Sequence, residues 1–211
     1  LVRARNGIPH EDVVGDTPET VKLAYMLGQI YEQRLGRHAE ARVAYQRALA
    51  FSPDDPKAFA AVERMLLATE AWPDLLELYR DAADAAVDLE QRKGFMFKIA
   101  EIRETAKEDA DGAIAAYRDV IDVDSRDPRA IAALDRLYFN AGKFEELTQH
   151  LRMQIDEAAD TAARNELRRR LAHVYEENLK DVSSAVDVYE EALRDDDSKS
   201  LHELERLILN P

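Results

Sequence analysis

The chain has no cysteine, little glycine and proline, and few aromatic residues. Without cysteine it can form no disulfide, no thiolate metal site and no cysteine nucleophile. Only 7 glycines and 7 prolines occur in 211 residues, which disfavours an all-β protein with many short turns. No apolar run reaches the roughly 18 residues that a membrane-spanning helix needs, so membrane insertion is not expected.

Positive charge is also scarce, and this bears on the kind of partner. There are 29 Lys and Arg against 43 Asp and Glu, which gives a formal net charge of −14. Because contact with phosphate groups needs a basic face, this balance disfavours a nucleic-acid-binding protein. Hydrophobic residues, by contrast, make up 46% of the chain. That is too apolar for a disordered chain and enough to bury a core.

The sequence repeats itself with a period of 72 residues. A gap-free shift by this period aligns most of the chain, and only the third copy is two residues shorter near its end. Self-similarity at a fixed period is typical of stacked helical repeats. The positions that match in all three copies include Gly28, Ala100 and Ala172, then Ala41, Ala113 and Ala185, and then Tyr45, Tyr117 and Tyr189.

Each copy of the period contains four stretches with the spacing of amphipathic helices, in which apolar residues recur at i, i+3, i+4 and i+7. Asp55 and Asp127 each precede a proline, which indicates an N-cap followed by the first helical residue. Gly36 and Gly142 suit helix ends that need a left-handed residue. The predicted helices are 18–35, 38–51, 56–70, 73–87, 89–106, 109–123, 128–141, 144–159, 161–178, 182–195 and 199–209.

The helix pairs resemble the tetratricopeptide repeat, a helix–turn–helix of about 34 residues. Its first helix carries W-x2-L-G-x2-Y, and this chain has Ala24-x2-Leu27-Gly28-x2-Tyr31, with alanine in place of tryptophan. Its second helix carries A-x3-F, which corresponds to Ala41-x3-Tyr45. The later copies match more loosely. Counted from the position of Ala24, the repeats begin at Ala24, Ala58, Met96, Ala130 and Arg168.

The resemblance implies an all-α fold, a right-handed α-solenoid of antiparallel helix pairs. We expect about five and a half pairs over residues 18–209, after an irregular lead-in at 1–17, in a fragment of a longer protein. The resemblance also implies a non-catalytic protein-interaction scaffold without a cofactor, which binds a partner protein or peptide in a concave groove along the first helices. The implied groove residues are Tyr25, Gln29, Glu32, Phe59, Glu63, Phe97, Glu101, Glu104, Ile131, Asp135, Tyr138, Arg169 and His173.

The implied groove combines carboxylates with aromatic rings, and its cations are limited to Lys22, Arg169 and His173. Clustered negative charge attracts oppositely charged ligands, and Tyr25, Phe59 and Phe97 would supply apolar anchors. The sequence therefore predicts a partner segment that is basic and has one or two apolar residues. The alternative is that the acids are spread over both faces and serve solubility. Four apolar residues belong either to the groove or to the core: Leu66, Leu67, Tyr138 and Phe139.

Residues able to carry chemistry show no catalytic or metal-binding pattern, and no phosphate-binding glycine loop is present. Asp122, Asp124 and Asp127 faintly resemble a calcium loop but lack its glycine and closing glutamate, and a helix cap explains Asp127 better. We expect neither catalysis nor a metal site. The histidines are far apart in the sequence: His10, His38, His150, His173 and His202.

Two other functions stay open at this point. The chain could be a structural spacer or self-assembly segment, or a regulatory domain attached to an enzyme outside this fragment. In the last helix, Leu201, Leu204, Leu207 and Ile208 form an apolar stripe that no following helix covers. Terminal repeats need a polar outer face, so this stripe predicts self-association through the C-terminal end. The residues do not fix a cellular compartment.

Overall fold

The computed structural model describes residues 18–53, 55–106, 108–195 and 197–209. This part of the chain is all-α and contains no strand, as predicted. Its helix boundaries agree with the predicted ones to within about one turn. The predicted lead-in at 1–17 lies outside the described residues. The helices are α1 (Pro18–Gln29), α2 (His38–Phe51), α3 (Pro56–Ala68), α4 (Trp72–Ala85), α5 (Leu89–Thr105), α6 (Ala110–Val123), α7 (Pro128–Asn140), α8 (Phe144–Asp156), α9 (Thr161–His173), α10 (Val182–Leu193) and α11 (Ser198–Leu209).

Two of these helices end in a wider, π-helical turn. Such turns follow α1 at Ile30–Arg34 and α9 at Val174–Asn178. Neither was predicted, because the apolar spacing of a single π-helical turn differs little from that of an α-helix. Within the described part of the chain, no helix is both long and apolar enough to cross a bilayer.

The helix ends are fixed by the residues predicted to cap them. The Asp55 carboxylate accepts the backbone N–H groups of Lys57 and Ala58, and Asp127 does the same at the start of α7. The acidic stretch before α7 is therefore a helix start with a capping carboxylate, as expected. Gly36 and Gly142 have φ of +64° and +67°, a backbone conformation that glycine adopts at little cost.

The helices form two compact units that divide between Phe95 and Met96, within α5. In the first unit, α1, α2 and α3 each pack against the next helix in the chain. In the second unit, the helices from α6 to α11 do the same, around a core that extends from Phe97 to Tyr189. Packing of each helix on its chain neighbour is typical of helical repeats. The right-handed superhelical path and a single solenoid over 18–209 stay predictions.

Tyrosines of the second helices occupy equivalent buried places. Tyr45, Tyr117 and Tyr189 are all buried, as the 72-residue register predicted. Gly28 faces Tyr45 so closely that a Cβ atom on Gly28 would lie 2.6 Å from Cε1 of the ring. The small residue in the first helix is thus what allows the tyrosine to pack at this distance.

The apolar stripe of α11 is not fully uncovered, which corrects the prediction. Leu204 and Leu207 are partly buried and pack against the core of the second unit, because α11 turns this side toward the preceding helices. Leu201 and Leu209 are exposed. Self-association through the C-terminal end stays a prediction, but two of the leucines on which it was based have another role.

Candidate functional site

Each of the five repeats has one position in its first helix and one in its second helix that can be compared between the repeats. We call them the first-helix position and the second-helix position. The first-helix position holds Tyr25, Phe59, Phe97, Ile131 and Arg169. The second-helix position holds Tyr45, Tyr79, Tyr117, Leu151 and Tyr189.

In the first three repeats, an aromatic ring of the first helix lies against a tyrosine of the second. The ring centroids of Tyr25 and Tyr45 are 5.3 Å apart, and those of Phe59 and Tyr79 are 6.3 Å apart. Both distances lie in the range of favourable aromatic pairs. Tyr25 and Phe59 are only partly buried, so each offers some ring surface to a ligand.

Phe97 lies in a different environment. Its ring is 6.0 Å from that of Tyr117 and is buried in the core of the second unit. The Arg129 guanidinium, from the first turn of α7, stacks 4.0 Å above the ring centroid. Phe97 therefore stabilises the core and is not the open apolar anchor that was expected.

Of the four apolar residues that the sequence left open between groove and core, two are buried and two are exposed. Tyr138 and Leu66 are buried core residues. Leu67 and Phe139 are 45% and 53% exposed. Ile131 is partly buried against the core. Of the expected groove residues in α7, Tyr138 is thus a core residue.

The carboxylates of the first helices are not isolated charges. The Glu32 carboxylate lies 2.6 Å from an Arg64 guanidinium nitrogen and accepts a hydrogen bond of 3.0 Å from the Tyr45 hydroxyl. One 72-residue period later, Arg136 donates to both oxygens of Glu104 at 2.6 and 3.0 Å. The same contact therefore recurs in both units.

Two further pairs extend this arrangement in the second unit. Arg170 donates to Asp135 at 2.8 Å, and Arg206 donates to both oxygens of Glu176 at 2.7 Å. In each pair the arginine comes from the first helix of the following repeat. We call these four arginines the arginine ladder: Arg64, Arg136, Arg170 and Arg206. Among the groove acids, Glu63 accepts instead from the Tyr79 hydroxyl at 2.6 Å.

The arginine ladder was not predicted from the sequence. With only Lys22, Arg169 and His173 counted as cations of the groove, the unpaired negative charge on this side was overstated. A signal was available, because Glu32 and Arg64 have the same separation in sequence as Glu104 and Arg136. Glu101, near Glu104 in α5, is exposed as expected.

Two arginines of the ladder change the titration of Glu104 and Glu32. The hydrogen bond from Arg136 holds the pKa of Glu104 below the ordinary 4.5, although partial burial acts in the opposite direction. Arg64 lowers the pKa of Glu32 in the same way. Burial, followed by the nearby Glu104 charge, raises the pKa of Tyr117. At neutral pH the carboxylates are therefore charged and the tyrosines are neutral donors.

Replacing Glu104 with glutamine should lower the free energy of unfolding at pH 7 by about 1 kcal/mol, the upper end for a solvent-exposed ion pair, since Arg136 is half exposed. The pKa of Glu104 is lowered on folding, so its contribution is present above pH 4.5 and is lost as the pH falls through the lowered pKa. Urea unfolding at pH 7 and pH 3 should show the difference shrinking. Glu101→Gln is the matched control, and an effect of Glu104→Gln that is equal at both pH values would contradict this account.

A cavity of about 420 Å³ opens in the fifth repeat, between α9, α10 and α11. Here the first-helix position is Arg169, whose guanidinium bonds to Glu166 and, at 2.5 Å, to Asp197. Pockets of this volume are large enough for a side chain with its backbone. The cavity is lined by Glu166, Arg169, Arg170, His173, Glu177, Tyr189, Glu203 and Arg206.

The charges around this cavity are largely neutralised within its own wall. Arg206 binds Glu203 at 2.9 Å in addition to Glu176.

His173, Glu176 and Glu177 place one ligand atom each within 4.8 Å of one another, a set that suits a divalent cation. Both oxygens of Glu176 are already bonded to Arg206, so a cation would have to displace that guanidinium. Burial raises the pKa of Tyr189 to about 12.

Ten of the thirteen expected groove residues thus form three groups. In the first unit, Tyr25, Gln29 and Glu32 lie on α1 and its π-helical turn, and the pair of Glu32 with Arg64 joins them to α3, which carries Phe59 and Glu63. In the second unit, the cavity brings Arg169 and His173 together, and Arg170 links its wall to Asp135. The third group, Phe97 and Tyr138, lies in the core.

Part of the chain matches a known protein family. A family model described as Tetratricopeptide repeat matches residues 21–55, which contain α1, its π-helical turn and α2. No curated protein matches the chain in sequence. Three solved structures are similar over most of their length.

The first is a thermophilic tetratricopeptide repeat protein from Thermus thermophilus, with 21% identity, coverage of 90% of this chain and 99% of that one, and a TM-score of 0.36. The second is YrrB, described as a tetratricopeptide repeat protein with an unusual peptide-binding site, with 13% identity, 88% and 90% coverage and a TM-score of 0.40. The third is PilF of Pseudomonas aeruginosa, with 16% identity, 89% and 97% coverage and a TM-score of 0.37.

These TM-scores are too low to transfer any residue of those proteins to this chain. The matched segment contains the motif around Gly28 and Tyr45, and the helices of each unit pack in chain order. The chain therefore contains a tetratricopeptide repeat at residues 21–55, and its other helix pairs resemble this repeat.

Proposed function

We propose that this protein is an interaction scaffold that binds an extended segment of a partner protein along the first helices. Tetratricopeptide repeats are generally non-catalytic scaffolds for protein–protein interaction. The observation that carries the proposal is the fixed geometry of the polar groups on these helices. Glu32 and Glu104 are each held by an arginine and a tyrosine, and groups held in place lose less entropy when they bind a ligand.

The segment that suits this surface is basic and contains one or two apolar residues. The chain carries a net charge of −14. Glu101 and Glu177 are exposed on the side of the repeats that the first helices form. The arginine ladder reduces the net negative charge of this side, so charge mainly accelerates encounter and selects the sign of the ligand. The partly exposed rings of Tyr25 and Phe59 supply the apolar contacts, which contribute more of the affinity.

Selection from a displayed peptide library against the whole chain tests this proposal. We expect enriched peptides to carry Lys or Arg together with an aromatic or aliphatic residue. Their affinity should fall by several-fold between low and high salt, because exposed charges are screened. Glu101→Lys should weaken binding by several-fold.

Glu190→Lys is the matched control, because it makes the same change of charge at an exposed position of a second helix, α10. It should leave the affinity within a factor of about two, since a screened charge on another face acts only weakly. Equal weakening by both variants would mean that the charge of the whole molecule is responsible. If no peptide is enriched, the first helices do not bind extended segments.

A further inference from the structure

The first helix of the chain exposes an apolar stripe that lies outside the proposed partner surface. Leu23 is 69% exposed, Leu27 is 43% exposed and Ile30 is 47% exposed, and Met26 between them is 46% exposed. Their spacing places all four on one side of α1. Contiguous exposed apolar side chains of this kind mark an interaction surface. We call these four residues the α1 stripe.

The repeat shows what kind of element this surface binds. In α9, two periods of 72 residues later, Leu171 and Val174 stand at the positions of Leu27 and Ile30. Both are buried, and α8 packs against this helix and its π-helical turn. The same stripe is therefore covered by a helix in the fifth repeat. No helix among the described residues of the first unit covers it in α1.

The sequence of α1 is complementary to itself in an antiparallel arrangement. When two copies are paired about the point between Met26 and Leu27, Leu23 of one copy faces Ile30 of the other, and Met26 faces Leu27. At the ends of the same side, Glu19 faces Arg34. Both are exposed, and their charges are opposite. A two-fold interface requires this self-complementarity, because the same surface patch serves both copies.

We propose that two copies of this protein associate through the α1 stripe, as an antiparallel pair of α1 helices flanked by two ion pairs between Glu19 and Arg34. The interface uses none of the residues that line the cavity of the second unit and none of the arginine ladder. It is also distinct from the C-terminal end, where Leu204 and Leu207 pack inward. This association goes beyond the proposed binding of a partner segment and does not depend on it.

Sedimentation velocity of the full chain over a range of concentrations tests the proposal. The wild-type protein should form a dimer that dissociates on dilution. Leu23→Glu should weaken dimerisation at least 50-fold, because it places a charge in the middle of the apolar contact. Leu201→Glu, at an exposed leucine of α11, should leave dimerisation unchanged. Circular dichroism of each variant should show unchanged helix content, since both leucines are exposed.

Reversing the charges of Glu19 and Arg34 tests whether a second copy of the chain is what binds the α1 stripe. Glu19→Arg and Arg34→Glu should each weaken the homodimer at least fivefold, because like charges then face each other. The double variant should recover wild-type affinity, and a mixture of the two single variants should form a heterodimer. A wild-type chain that stays monomeric at every concentration, or a dimer that is lost in Leu201→Glu but kept in Leu23→Glu, would overturn the proposal.

Discussion

Leu66→Ala is expected to lower the free energy of unfolding of the first unit by about 3 kcal/mol, whereas Leu67→Ala should lower it by less than about 1 kcal/mol. The two leucines are neighbours in α3, and the substitution removes the same atoms. Leu66 is 1% exposed and Leu67 is 45% exposed. The first substitution leaves a cavity in a packed interior, and the second removes a side chain that water already reaches.

The protein contains a single tryptophan, Trp72, which lies in the first unit. Its fluorescence during urea unfolding therefore reports on the unit that contains both leucines. Similar losses for the two variants would show that α3 does not present Leu66 to the core and Leu67 to water. Leu67→Ala also serves the binding assay, because Leu67 lies exposed on a first helix, α3, and the substitution is expected to leave the fold intact.

Gly28→Val should destabilise the first unit by about 2 to 3 kcal/mol, because overpacking of a well-packed core costs about 1 to 3 kcal/mol. Even a Cβ atom at this position would lie within 2.9 Å of three atoms of the Tyr45 ring. Tyr45 is 1% exposed, so its ring cannot move aside without disturbing the core. Valine adds two further methyl groups and is stiff about χ1.

Gly94→Val is the matched control. Gly94 also lies inside a first helix of the same unit, but a Cβ atom there would meet no heavy atom within 4 Å. Valine has a higher helix propensity than glycine by a few tenths of a kcal/mol, so this variant should be as stable as wild type or slightly more so. Urea unfolding monitored by circular dichroism measures both. A loss at Gly94 as large as that at Gly28 would point to helix propensity and not to the ring contact.

The helices were predictable because their start and stop signals are local. An aspartate before a proline fixes the first turn of α3 and of α7 whatever the helix later packs against. The burial of Tyr45, Tyr117 and Tyr189 was predictable for a related reason. A tyrosine that recurs with the repeat period must occupy the same place in each copy, and the small residue opposite it indicates that this place is inside.

The surface was harder to predict because it depends on how successive first helices are rotated against one another. Arg64 and Arg136 are equivalent in the 72-residue register and stand at equal distances from Glu32 and Glu104 in the sequence, but only the structure shows that these side chains meet. Phe97 stands at the same position as Tyr25, but Arg129 covers its ring. No pattern within α5 indicates that a residue of the α7 first turn closes over it.

The arginine ladder has a consequence for how the chain folds. Its hydrogen bonds in the second unit join residues that are 32, 35 and 30 positions apart, in a chain of 211. Short separations keep the entropy of loop closure small and favour rapid folding. Synthesis on the ribosome proceeds from the N-terminus at roughly 5 to 20 residues per second. Glu104 therefore meets Arg136 within seconds of its own emergence, and each repeat can acquire its ion pair while the following ones are still being made.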